Sequence, residues 1–70
     1  MSSEEVWVVP DNENGGWMVR SEGVPPSRHR QQNEALRAGR HIAQAAESAL
    51  LWQSADGEVQ GQTDFSDDGS

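Results

Sequence analysis

Residues 32–48 read QNEALRAGRHIAQAAES. No proline interrupts them, and alanine, leucine, arginine, glutamine and glutamate dominate, so the stretch is read as a helix. Leu36, Gly39, Ala43 and Ala46 recur at helical spacing and lead on to Leu50. Ala35, Ile42 and Ala49 flank that stripe. Arg37, Arg40, His41, Gln44, Glu47 and Ser48 fall on the opposite face. The apolar face is built mostly of small residues. Such a helix can lie close against a sheet whose larger side chains fill the space between. Its start falls near Gln31 or Asn33; glutamine is a poor cap, so sequence alone does not choose between them.

Upstream, VWVVP (6–10) is β-branched and aromatic and reads as a strand ended by Pro10. DNENGG (11–16) is dense in turn formers, and Asn14-Gly15 is a hairpin signal. WMVRSE (17–22) is the return strand. Alternation puts Trp17 and Val19 on one face, expected to be the core face, with Met18 and Arg20 on the other. Whether Val6 and Val8 or Trp7 and Val9 join the core depends on register. GVPPS (23–27) reads as a loop because of its paired prolines. RHRQ (28–31) is either a short edge strand or more of that loop. Downstream, LLWQ (50–53) and EVQGQ (58–62) read as a second hairpin about Asp56-Gly57, a type I′ signal.

The expected fold is α+β: β-hairpin, short strand, helix, β-hairpin, with one helix packed on an antiparallel sheet. One sheet face would then stay uncovered by the chain's own helix. Residues 1–5 are expected to be a flexible N-terminus and 6–65 a single domain. Residues 66–70 are expected to be a disordered acidic tail, with Phe65 folding back onto the body.

At this length the buried core is small, and hydrophobic residues make up 33% of the chain. There is no cysteine, which excludes thiol catalysis, thiolate zinc sites and disulfide stapling. The N-terminal segment has neither the basic nor the apolar region of a secretory signal. No apolar run approaches the ~18 residues that would span a bilayer. A soluble cytoplasmic protein is expected, with no membrane association.

The net charge is −7, and it is unevenly placed. Arg28, Arg30, Arg37 and Arg40 stand against Glu34 alone in residues 28–41. Residues 42–70 carry Glu47, Asp56, Glu58, Asp64, Asp67 and Asp68 and no basic residue. The chain has no lysine.

Taken together, WVVP (7–10), GGWMVR (15–20), EG (22–23), QNEALRAGRHIA (32–43), ALL (49–51) and DGEV (56–59) form a series. In order and spacing it resembles the bacterial family catalogued as domain of unknown function 2188, over roughly residues 6–65. The resemblance implies a ββ(β)αββ domain from bacteria or their phages. It brings no activity and no functional residue. The family typically has threonine or serine where this chain has Gln31, and often a basic residue where it has Glu58.

Four features bear on function. The Arg28, Arg30, Arg37 and Arg40 cluster, with His41, suits phosphate or carboxylate contact, because the guanidinium fork binds either in bidentate fashion. The plainer reading is a solvated helix face beside a charged edge. His29 and His41 lie on different elements without an obvious third ligand, so no metal is expected. Ser27 and His29, two apart, need not face each other, and no catalytic constellation is expected. Trp7, Trp17 and Trp52 exceed what so small a core requires, so Trp7 or Trp52 is a candidate for an exposed interface residue. The many carboxylates serve solubility, or else imitate nucleic-acid phosphates.

The leading expectation is therefore a non-catalytic interaction module without a cofactor, binding a protein partner or itself through the open sheet face. Candidate binding residues are Arg28, Arg30, Arg37, Arg40, His41, Trp7 and Trp52. The alternatives are nucleic-acid binding through the arginines, which the net charge opposes, and a phage-type acidic inhibitor of a host nucleic-acid-binding protein.

Overall fold

The computed structural model describes residues 5–65; the expected flexible N-terminus, apart from Glu5, and the acidic tail from Ser66 lie outside them. The chain forms β1 (Glu5–Pro10), β2 (Trp17–Ser21), β3 (Val24–His29), α1 (Gln32–Ala46), β4 (Ala49–Gln53) and β5 (Val59–Asp64). The strands make one sheet in the order β3-β2-β1-β4-β5, and α1 lies across one face over β1, β2 and part of β4. The α+β architecture of one helix on a sheet is as the sequence implies.

Two expectations are corrected. Residues 24–27 of the expected loop are strand, and they run into Arg28 and His29, for which an edge strand was one of the two readings, to make β3. It sits on the rim of the sheet, where a missing N–H need not break a ladder. Pro25 and Pro26 fall at a register shift: Val19 pairs with Ser27 and Ser21 with Val24, so both prolines oppose Arg20 alone. This is a bulge, the usual place for an unpaired residue. The sheet is mixed rather than antiparallel, because β1 and β4 pair in parallel. The meander β1-β2-β3 adds one reversal more than a single hairpin would, and α1 adds another. β4 therefore arrives running in the direction of β1.

The Asp56-Gly57 turn also differs from expectation. Gly57 N–H donates to Ser54 O and Ser54 N–H to Glu58 O, and Gly57 alone in the turn has positive φ. That is the three-residue hairpin form rather than type I′, which needs positive φ at both central residues. In the first loop Asp11 acts as the organiser. Its Oδ1 accepts the Glu13 and Asn14 N–H groups at 3.2 and 3.3 Å, and its backbone bonds both Gly15 and Gly16.

Register settles which residues are inside. Val8 pairs with Val19 on one side and Trp52 on the other, and Val6 pairs with Ser21 and Leu50. Paired residues share a face, so Val6, Val8, Val19 and Leu50 line the side beneath the helix, together with the Trp17 and Trp52 positions. Ala35, Gly39 and Ala43 of α1 meet them, and this set is the buried core. Trp17, Leu36, Ala38, Ile42, Trp52 and Phe65 close it from the sides. Phe65 does fold back, and its N–H donates to Ser48 O at 3.1 Å. Ala46 is exposed, one turn past the contact with the sheet.

Gln31 is the N-cap, and its side chain makes no capping hydrogen bond. At the other end Ser48 N–H bonds Ala43 O and Glu47 N–H bonds Gln44 O, the paired pattern of a Schellman close. Glu47 occupies its left-handed position at φ 54° and is the one non-glycine with positive φ among the described residues. An L residue there costs about 1 kcal/mol or more, and a carboxylate at a helix C-terminus opposes the macrodipole. Glu47→Gly is therefore expected to raise unfolding free energy by about 1 kcal/mol, read as a higher urea midpoint at unchanged slope.

Candidate interaction surface

The same register that buries Val6 and Val8 turns Trp7 and Val9 to the other side. Trp7 pairs with Arg20 on β2 and with Leu51 on β4, and Val9 pairs with Met18. Trp7, Val9, Met18 and Leu51 thus form one apolar patch across the three central strands. It lies on the face that α1 does not cover. Each of the four is only half-buried, and they shield one another. The Trp7 indole N–H donates to Glu5 Oε1 at 3.2 Å, which fixes the ring along the strand. A shallow groove runs beside it between Glu5, Trp7, Val9, Arg20 and Glu22. The patch is therefore apolar at its centre and charged, with both signs, at its rim.

Trp52 is not part of this patch. It lies on the helix side, over Gly61 of β5, and packs against the core. Of the two tryptophans weighed from sequence, Trp7 is the one the sheet presents. Val9, Met18 and Leu51 were not singled out, because only the register between β1, β2 and β4 shows that they meet.

The basic residues are divided by the sheet. Arg28 pairs with Met18 and so belongs to the open face, where its Nε stands 3.6 Å from Asp11 Oδ2. The Asp11 side chain is buried and Arg28 largely exposed. The contact is an ion pair too long for a hydrogen bond, and it holds the rim strand to the first loop. Arg30 follows β3 and, with Arg28 and His29, borders a basin closed by Asn14, Gly15 and Gly16. Arg37, Arg40 and His41 are exposed on the helix; Arg37 and Arg40 lie beside Asn33 and Leu36. The helical arginines and Arg28 therefore look out from opposite layers.

Ser27 and His29 do face each other, with Ser27 Oγ 3.0 Å from His29 Nε2. Residues two apart on a strand share a face, which is what brings the two side chains together. Among the described residues no three His, Cys, Asp or Glu side chains converge on a point that would hold a metal ion. No helix among them is long and apolar enough to cross a membrane.

Residues 6–65 match the model of DUF2188, described as an uncharacterized protein conserved in bacteria. The chain belongs to that family. No curated protein and no solved structure matches it.

Proposed function

We propose that this DUF2188 chain is a non-catalytic interaction module, working in the bacterial cytoplasm, that binds a protein partner through the open face of its sheet. The observation that carries the reading is the Trp7, Val9, Met18 and Leu51 patch on the face opposite the helix. Tryptophan at the centre of an apolar patch with a charged rim has the layout of an interface hot spot. A cytoplasmic setting fits a chain without cysteine. The partner is a different protein or a second copy.

Nucleic-acid binding draws less support. Arg28 is engaged with Asp11, the helical arginines lie on the other layer, and the net charge of −7 repels phosphate at long range.

The test is Trp7→Ala. Trp7 is outside the core, so the variant is expected to melt within a few degrees of the parent. It is expected to bind a purified partner at least about tenfold more weakly, as loss of a hot-spot tryptophan does. If the partner is a second copy, sedimentation equilibrium is expected to show a dimer that becomes monomeric in the variant. Undiminished binding, with the fold intact, would sink the proposal.

A further inference from the structure

The two rims of the sheet are built differently. On β3 the paired prolines lack N–H groups, the bulge interrupts the ladder, and Arg28 and Arg30 follow. Prolines, bulges and charge are devices that keep another strand from adding to a rim. The rim at β5 has no proline and no basic residue; it carries one bulge, at Gln60, since Trp52 pairs with Gly61 and Gln53 with Val59, and its charge is acidic. Val59–Asp64 pairs with β4 alone and is not covered by α1, which meets it through the hydrogen bond from Gln32 Nε2 to Gln60 Oε1 at 3.2 Å. All of its residues but Gly61 are exposed, Val59 by 56%. Its outward backbone groups form an open ladder interrupted at the Gln60 bulge, with Gly61–Asp64 as its regular part.

The surroundings of this rim are acidic. Asp56 and Glu58 stand at one end of β5 and Asp64 at the other, and no lysine or arginine follows Arg40 in the chain. We propose that the β5 rim receives an extended, arginine- or lysine-rich segment of another protein by strand addition. This surface is separate from the Trp7 patch and does not depend on it.

Charge decides between the occupants. A second copy would set its own Asp56, Glu58 and Asp64 against the same three residues, within a Debye length of about 8–10 Å. A basic strand meets the opposite field there, which both speeds the encounter and fixes the partner's sign. Gly61 supplies a further element of recognition. It has no side chain, and the Trp52 indole lies directly over it. A cationic side chain of the incoming strand opposite Gly61 would therefore meet an indole ring, a favourable pairing for a guanidinium.

The experiment uses the full chain and a synthetic peptide alternating arginine with valine and threonine. A peptide of the same pattern with glutamate for arginine is the control. Amide hydrogen exchange is followed residue by residue. Slowed exchange within Val59–Asp64, with the amides of Trp7, Val9 and Leu51 unchanged, is the expected result. Binding is expected to weaken several-fold when salt rises from about 0.05 to about 0.3 M. Glu58→Lys and Thr63→Lys alter exposed positions, and each is expected to weaken the peptide by about tenfold. The second variant covers the case in which the first perturbs the turn. Trp7→Ala is expected to leave this binding intact, which separates it from the open-face reading. Equal binding of the acidic peptide would overturn the proposal. So would protection confined to the open face. Concentration-dependent protection of β5 without peptide would assign the rim to a second copy instead, and would equally overturn it.

Discussion

Gly39→Val is expected to destabilise the domain by about 3 kcal/mol or more, the upper range for overpacking a well-filled core. Gly39 is the point at which α1 comes closest to the sheet. A Cβ there would lie 2.9 Å from Leu50 Cδ1, 3.1 Å from Val8 Cγ2 and 3.6 Å from Val6 Cγ1. Val6 and Val8 are fully buried and Leu50 nearly so, and β-branched side chains have little rotamer freedom with which to give way. Alanine at the same site is the milder case: its helix propensity returns about 1 kcal/mol, which offsets much of the crowding. Valine adds two further methyl groups and has no such offset. For a domain of this size each kcal/mol moves the midpoint by roughly 4–8 °C. Thermal melting followed by circular dichroism is thus expected to fall by at least about 12 °C at that conversion. A variant melting within a few degrees of the parent would show that the helix can ride higher on the sheet than the geometry implies.

The second large effect is expected at Gly61. A Cβ there would stand 2.5 Å from Trp52 Cζ2 and 2.9 Å from Cε2, so any side chain must evict the indole. Trp52 packs against the core, and Gly61→Val is expected to cost about 2 kcal/mol, within the range for lost packing around a large aromatic. Valine's preference for strands recovers only part of this. The obstruction is a single side chain, which gives a sharp check. In the Trp52→Ala background the same glycine substitution is expected to be nearly neutral, giving a coupling energy above about 1 kcal/mol in a double-mutant cycle. Simple additivity of the two changes in urea unfolding would refute the account.

Much of this architecture was readable from the residues. The helix was plain because its composition and its small-residue stripe agree. Trp17 and Val19 could be placed inside by alternation alone. The paired prolines misled, because proline argues against a strand in general but not on a rim at a bulge. The direction of β4 depends on the same segment. With the 28–31 stretch as loop, β4 runs against β1; with it as a strand, β4 runs along β1, and only the second agrees with the sheet. The open patch was legible only as a possibility for Trp7 or Trp52. Strand alternation puts each tryptophan on a definite face of its own strand, but only the pairing between strands says which face the helix covers. For the same reason Val9, Met18 and Leu51 could not be gathered into one surface. The arginines looked like a cluster because they are close in sequence; the sheet separates Arg28 from Arg37 and Arg40.

The parallel pairing of β1 with β4 has a consequence for how the chain is made. β1 is synthesised first, yet it ends as the middle strand of the sheet. Its partner on one side, β2, follows within a few residues, but its partner on the other side is Ala49–Gln53. Throughout the intervening synthesis, Val6-Trp7-Val8-Val9 has a bare flank, and no helix has yet been laid over Val6 and Val8. The most apolar strand of the sheet is thus made before the others and waits for both α1 and β4 before it is enclosed. Its protection in that interval falls to the acidic residues on either side, Glu4 and Glu5 before it and Asp11 and Glu13 after it, which act as charged gatekeepers against association with neighbouring nascent chains.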